Sequence, residues 1–411
     1  MGIKNLKYLI GKYAAGAVNE IFLYSYENKV LAIDTSIYLY RFIYKNGEPL
    51  ELLVKQIMRL LKNKIIPLYI FDGKPPKEKN EVLDERNERK KELTTRQAQI
   101  KILIKKKAKE KKVKEDNVKE SNIEEFLEEQ PLTTESPHIE TKGIEEIDSE
   151  KIITDEITIA EDLKDMSLEE LREELEKVEK RIIVVNGKVI SECKKLFDLM
   201  GIPYIIANGE AESLCAWLIK KELVCGCLSE DTDILANGGK LFIRNFNVNN
   251  NKVIVYDLDK ILKSLGVNYQ EFVDICILCG CDYTSTIKNI GVEKAYKFIK
   301  DYKNIEDVIE YVNEYNKKNI EKNKEARYIV PKNFDYKTAR HLFYTCGQKE
   351  DYNRCKEIIK LSTPQVDNIL KFLGDDIKIT VKNDIKRNLK KFHETIERDR
   401  TKTIDSFFGK I

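Results

Sequence analysis

Short apolar runs alternate with amphipathic stretches over residues 1 to about 90. KVLAID ends at Asp34, IPLYIFDG passes through Asp72, and between them residues 50–62 repeat apolar side chains at helical spacing. This rhythm predicts βαβ units around a largely parallel sheet. Residues 76–120 then become lysine-rich and helical, with few aromatics. Residues 121–172 turn acidic, and Pro131, Pro137 and a Thr-Thr-Glu-Ser stretch interrupt any long helix, so this part reads as a mobile insertion. Order is expected to resume near Lys180. Residues 187–200 read as an amphipathic helix, PYIIA as a strand and residues 210–221 as a helix, followed by strands in VCGCLS, KLFIRN and KVIVYD. From residue 258 the pattern is helical, running through a glycine-containing turn in KNIGVEKAYKFI into a second lobe, and a polar tail follows residue 395.

With 411 residues, 42% hydrophobic and 35% charged, the chain can bury a sizeable core in two or three domains. No apolar run reaches the length of a membrane span. The opening MGIKNL lacks the apolar core of a secretory signal, and Leu6 stands where a myristoylation signal needs Ser or Thr, so an intracellular protein is expected. Nine cysteines argue against a disulfide framework. Those in ICILCGC and LVCGCLS lack the flanking turn residues of a metal knuckle and read as small buried hydrophobes. The three histidines, His138, His341 and His393, share no paired spacing, so any metal or acid–base chemistry rests on carboxylates. Residues 121–170 hold 17 acidic and 3 basic side chains, a balance of −14 within a chain of net charge +2. The remainder is therefore strongly basic, which suits a polyanionic partner and equally a solvated lysine surface.

Asp34, Asp72, the pair Glu210 and Glu212, and the pair Asp231 and Asp233 each lie at or just beyond the end of an expected strand, the edge where open α/β sheets place ligands. Asp282 follows a helix and is a seventh candidate. A single acid at a strand end is usually a helix N-cap. Seven together repel one another unless cations neutralise them, and an all-carboxylate donor set points to Mg²⁺ or Mn²⁺ rather than zinc. Two such ions about 4 Å apart can activate water and stabilise the leaving oxygen in attack on a phosphodiester. The chemistry thus reaches a metal-dependent nuclease or phosphatase.

MGIKNL, VLAIDTSIYLYRF, PLYIFDGKPPKEK, LMGIPYIIANGEAESLCA, LSEDTDIL and LCGCDYTSTIKNIGVEKA, in that order, closely resemble the flap endonuclease family, the structure-specific 5′ nucleases related to XPG. The resemblance covers roughly residues 1–95 and 175–300 and continues more weakly to about 395. It implies a PIN-like, mostly parallel mixed sheet with flanking helices, a helical arch, and a C-terminal helical lobe containing a helix–hairpin–helix. It divides the chain into a nuclease region at 1–95, the arch with its acidic insertion at 96–179, a second nuclease region at 180–300, the helical lobe at 301–395 and a tail at 396–411. The implied activity is Mg²⁺-dependent 5′ flap endonuclease with 5′–3′ exonuclease action, serving lagging-strand flap removal and repair in the nucleus. A 5′ exonuclease or junction-resolving enzyme of the same family, and an inert clamp-tethered DNA-binding scaffold, are the alternatives.

By the same resemblance, Asp34, Asp72, Glu210, Glu212, Asp231, Asp233 and Asp282 are the ligands of two metal ions. Lys79 and Arg86 match a catalytic basic pair on a helix beside them and Tyr40 a nucleotide-stacking aromatic; Arg89, one turn after Arg86, is a weaker candidate for a phosphate contact. Lys288, Gly291 and Lys294 belong to the helix–hairpin–helix, where main-chain groups meet a duplex phosphate directly or through K⁺, and Gly291 permits the close approach. Thr401, Ile404, Phe407 and Phe408 resemble a motif that plugs into a PCNA-type sliding clamp, with Thr401 in place of the usual Gln. The implied substrate is branched duplex DNA with a single-stranded 5′ flap, bound by a monomer. Gly47 and Gln56 replace family arginines that contact DNA, and Lys45, Lys55 and Arg59 are candidates to compensate.

Overall fold

The computed structural model describes residues 2–45, 48–124, 159–182 and 185–377, together with 386–387, 389–392 and 394. They form two compact units, Met1–Leu83 with Val184–Ile411, and Asp84–Ile183.

The larger unit is built on seven strands: β1 (Val18–Phe22), β2 (Val30–Asp34), β3 (Ile66–Phe71), β4 (Tyr204–Ile206), β5 (Gly226–Leu228), β6 (Leu241–Arg244) and β7 (Lys252–Asp257). Their order is β1-β7-β6-β5-β2-β3-β4. The five strands from β6 to β4 run parallel, and β7 and β1 add antiparallel pairs at one side. The central strands are buried on both faces, so β2 and β3 read as near-continuous apolar runs instead of alternating.

Two apolar clusters cover the sheet. One packs the helices Thr35–Tyr44, Pro49–Lys62 and Gly187–Met200 around Ile33, Tyr69 and Phe197. The other joins Leu68, Leu218 and Phe242 to the helices Ala211–Lys220, Tyr269–Cys279 and Val292–Tyr302, extending the core into the helical lobe. The cysteines are all free, and Cys276, Cys279, Cys281 and Cys227 are buried in the second cluster as small hydrophobes. Among the described residues no helix is long and apolar enough to cross a membrane.

The smaller unit contains the helix Asn80–Glu124, a short turn of helix at Glu161–Lys164 and the helix Leu168–Arg181. Ile100, Leu103, Leu163, Leu171 and Val178 form its core. Residues 161–164 and 168–172 are therefore helical, inside the segment read from its charge as insertion. The net acidity masked a helical period: Leu171, Leu175 and Val178 lie on one face, and Ser167 and Glu170 cap the start reciprocally at 3.2 and 2.7 Å. Acids of this unit pair with the lysine-rich helix. Arg96 meets Asp162 at 2.8 Å and Glu174 at 3.0 Å, and Lys101 meets Glu179 at 2.9 Å.

Candidate active site

The acids are placed by the C-terminal ends of the parallel strands. Asp34 closes β2 and is also the N-cap of the next helix, its Oδ1 accepting from the Ile37 N–H at 3.3 Å. The ordinary reading of a strand-end acid holds for Asp34 without excluding the other, because Oδ2 is separately engaged by the Ser229 hydroxyl at 2.9 Å. The same Ser229 oxygen accepts from the Asp231 N–H at 3.1 Å, and Asp231 Oδ1 accepts from the Asp233 N–H at 3.1 Å. One serine thus fixes the β5 loop against the end of β2.

Asp72 lies one residue past β3 and accepts from the Ala211 N–H at 2.9 Å, capping a helix whose own N-cap, Glu210, makes no side-chain cap. This leaves the Glu210 carboxylate for other partners. The two loops are zipped together by Gly73 N–H donating to Gly209 O at 2.8 Å and Ala207 N–H to Phe71 O at 2.9 Å. They pass so closely that a Cβ on Gly73 would lie 1.9 Å from the Ala207 carbonyl oxygen. Gly2 is pressed against the opposite loop, where a Cβ would fall 2.2 Å from Asp231 Oδ1.

Lys79 joins the acids. Its ammonium bridges Glu210, reaches Asp282 at 3.3 Å and Glu212 at 3.8 Å, and its side chain is only 13% exposed. Burial disfavours the charged ammonium, but Glu212, Glu210 and Asp282 outweigh it and hold the group above its ordinary range. Lys79 ends a 3₁₀ turn, Lys77–Lys79, that runs directly into the long helix at Asn80.

Crowded anions raise one another's proton affinity. Burial, then the charge of Asp72, pushes Asp34 up to about 7. Glu212 is raised by burial and by Glu210, Asp233 by burial and by Asp231 and Asp282, and Asp231 by burial against the opposing Asp233 N–H. Asp233 Oδ1 is buried with no hydrogen-bond partner. Among the described residues no three acids, histidines or cysteines close into a ready cage for a metal ion. The donor set nonetheless suits a hard divalent cation: oxygens only, excess negative charge, and one buried oxygen with nothing to accept.

Tyr40 is 42% exposed, while the core position of that helix is taken by Tyr38. The left-handed residue of the hairpin is Asn289, with φ 68°, whereas Gly291 is the N-cap of Val292–Tyr302 with an ordinary φ of −100°. No atom lies within 4 Å of where a Gly291 Cβ would stand, so what the glycine leaves is an open approach to the main chain. Lys288 is exposed and its N–H donates to Ile329 O at 3.0 Å, and Lys294 turns back onto Asn289 O at 2.8 Å. Arg86 and Arg89 are exposed on the long helix in the second unit. Gln56 does not face solvent: it is fully buried and accepts from the Tyr69 hydroxyl at 3.1 Å. Nor are Lys55 and Arg59 idle, since Lys55 pairs with Glu51 at 2.6 Å and Arg59 donates to Val248 O at 2.8 Å. Thr401, Ile404, Phe407 and Phe408, as well as Gly47, lie outside the described residues.

Three further residues of the site lie within the quoted motifs LSEDTDIL and LCGCDYTSTIKNIGVEKA with no role read for them there. Tyr283 is buried beside Asp282 and donates to Glu210 at 2.6 Å. Ser229 anchors Asp34. Glu230 accepts from Arg41 at 3.0 Å, Arg244 at 2.7 Å and the Asn245 N–H at 2.9 Å, bracing the loop between two ligating candidates.

Residues 1–93 match the XPG N-terminal domain and residues 201–282 the XPG I-region. The flap endonuclease 1 of Plasmodium yoelii yoelii is 32% identical over 99% of this chain and 74% of its own length. The chain belongs to the flap endonuclease family. Plasmodium falciparum flap endonuclease 1 is 33% identical over 99% of this chain, which spans only 55% of that relative's length. Solved structures share the fold as well. The flap endonuclease-1 from Methanococcus jannaschii matches with TM-score 0.56 and 22% identity over 93% of this chain and 97% of that one. The catalytic core of Rad2 in complex with DNA substrate matches with TM-score 0.61 and 19% identity over 96% and 100%.

Proposed function

We propose that the chain is a divalent-metal-dependent, structure-specific DNA nuclease that cuts at the base of a single-stranded 5′ flap. The observation that carries this reading is the gathering of Asp34, Asp72, Glu210, Glu212, Asp231 and Asp233 at one end of the parallel strands, with Asp282 and Lys79 joined to them. These acids would hold Mg²⁺ or Mn²⁺. When bound, such ions supply charge stabilisation to a phosphodiester and a nucleophilic water.

The protein's own groups do the rest. Ser229, Tyr283 and the Ala211 N–H orient Asp34, Glu210 and Asp72, so that these carboxylates need not reorganise when substrate arrives. Lys79, with Arg86 from the long helix, would offset charge developing on the scissile phosphate. Tyr40 offers an exposed ring for a nucleotide to stack on, worth about 1–3 kcal/mol per base. Lys288 and the open main chain at Gly291 would meet a duplex phosphate, directly or through K⁺, and Arg89 would contact another. Such contacts read shape and not base sequence. The tail residues Thr401, Ile404, Phe407 and Phe408 would dock on a PCNA-type clamp, placing the enzyme in flap removal and repair in the nucleus, as a monomer.

Two measurements test the reading. Cleavage of a 5′ flap, a nicked duplex and a four-way junction in one Mg²⁺ buffer should rank the flap first; a dominant junction or duplex-end activity would redirect it to a resolving enzyme or exonuclease. Asp233→Asn should abolish turnover while flap binding survives or tightens, because a charge that repels phosphate is removed. Undiminished cutting by that variant in excess Mg²⁺ would refute the assignment of Asp233.

A further inference from the structure

Lys79 is held in a manner that a phosphate contact alone does not explain. An ammonium has three N–H donors and no acceptor. Three carboxylates surround this one: Glu210 in direct hydrogen bond, Asp282 at 3.3 Å and Glu212 at 3.8 Å. With its side chain 13% exposed, the ammonium is drawn inward onto these carboxylates and not toward solvent. The same three acids are among the seven that would hold divalent metal.

We propose that Lys79 is a displaceable counter-cation of Glu210, Glu212 and Asp282, and that a divalent ion, by taking those oxygens, releases the ammonium to meet the phosphate. The proposal rests on the metal-nuclease reading of the site. Its physical basis is charge competition. A doubly charged ion bound to these oxygens removes the attraction that keeps Lys79 buried and repels it at close range. The four-carbon stem and the short turn Lys77–Lys79 give the ammonium freedom to swing. Metal loading and the arming of a cation for the phosphate thereby become one event, and the carboxylates are not left as bare buried anions before metal arrives.

Reductive methylation of the full chain without DNA, followed by peptide mass spectrometry, reads the release directly, because only the free amine reacts. In chelator Lys79 should label slowly relative to the exposed Lys322. In saturating Mg²⁺, with binding verified by a thermal shift, its rate should rise severalfold or more, because an amine that leaves the buried carboxylates becomes accessible to the reagent. An unchanged or slower rate on Mg²⁺ binding overturns the proposal. Lys79→Met gives a second reading: by calorimetry it should bind Mn²⁺ about tenfold more tightly than the parent, and its melting temperature in chelator should fall. Unaltered or weaker Mn²⁺ binding is the contrary result, and the labelling of the parent chain stands whether or not the variant folds. Neither readout involves cleavage. A chain that releases Lys79 yet cuts no DNA would sink the nuclease reading alone, and one that cuts flaps with Lys79 labelling unmoved would sink the counter-cation alone.

Discussion

Individual residues at the site are identified by what they neutralise. Asp34 illustrates the consequence for stability. Burial and Asp72 raise its pKa from 3.8 to about 7, so between those values the folded chain holds a proton that the unfolded chain has released. Folding stability in chelator should therefore fall as pH rises through that window, and be highest on its acid side, as far as this group is concerned. Asp34→Asn removes the dependence. Its melting temperature in chelator should exceed the parent's at pH 8, with the gain shrinking as pH falls and gone near pH 4; a constant difference across pH, measured by calorimetry, would count against the burial argument. Motif spacing marked the seven acids but could not mark Ser229 or Tyr283, since a serine or tyrosine beside an aspartate is common and only the folded partner gives it a task. Gln56 failed in the opposite direction. It was matched to a family arginine that contacts DNA, whereas the helix Pro49–Lys62 turns it into the core against Tyr69.

Elements were legible wherever one period dominated. The helices over 50–62, 187–200 and 210–221 and the strands around Asp34 and Asp72 fall within a residue or two of their expected places. The helix Leu168–Arg181 was missed because charge spoke louder than period. In the helical lobe, three elements meet through a contact that no pattern announces. Asp274, on Tyr269–Cys279, is 3% exposed and receives two hydrogen bonds from Arg340, both at 2.8 Å, and one from the Ile305 N–H at 3.2 Å. Arg340 also pairs with Glu306 at 2.9 Å. Arg340→Met would leave a buried carboxylate unpaired and should cost about 3–5 kcal/mol in urea unfolding. Arg340→Met combined with Asp274→Leu should recover much of that, because the penalty lies in the stranded charge and not in the lost pair.

At the scale of the whole molecule, the chain divides its charge, with a net acidic stretch inside a basic remainder. Part of that acidity is structural, and the distinction yields a test. Lys107 donates to the carbonyl of Lys164 at 3.1 Å, so the two stretches of chain come within side-chain reach there. Replacing residues 110–158 with a short Gly/Ser linker should leave the cluster around Leu103, Leu163 and Leu171, the melting temperature and the flap-cleavage rate close to the parent's. Deleting 121–170 instead removes Leu163 and the Ser167 cap and should destabilise the smaller unit; equal damage from both changes would show that the intervening chain is integral.

What the sequence determined by itself is chemical identity and local period: which acids exist, that the histidines share no paired spacing and the cysteines no knuckle pattern, and which runs can be strands or helices. These follow from side-chain type and from neighbours a few positions away. Only the tertiary structure decided how the acids are oriented and neutralised, because those contacts join Asp72 to Ala211, Lys79 to Glu210 and Asp34 to Ser229 across more than a hundred residues of intervening chain. Proton affinity follows the same division, since it depends on burial and on the summed field of neighbours, both of which exist only once the chain has closed on itself.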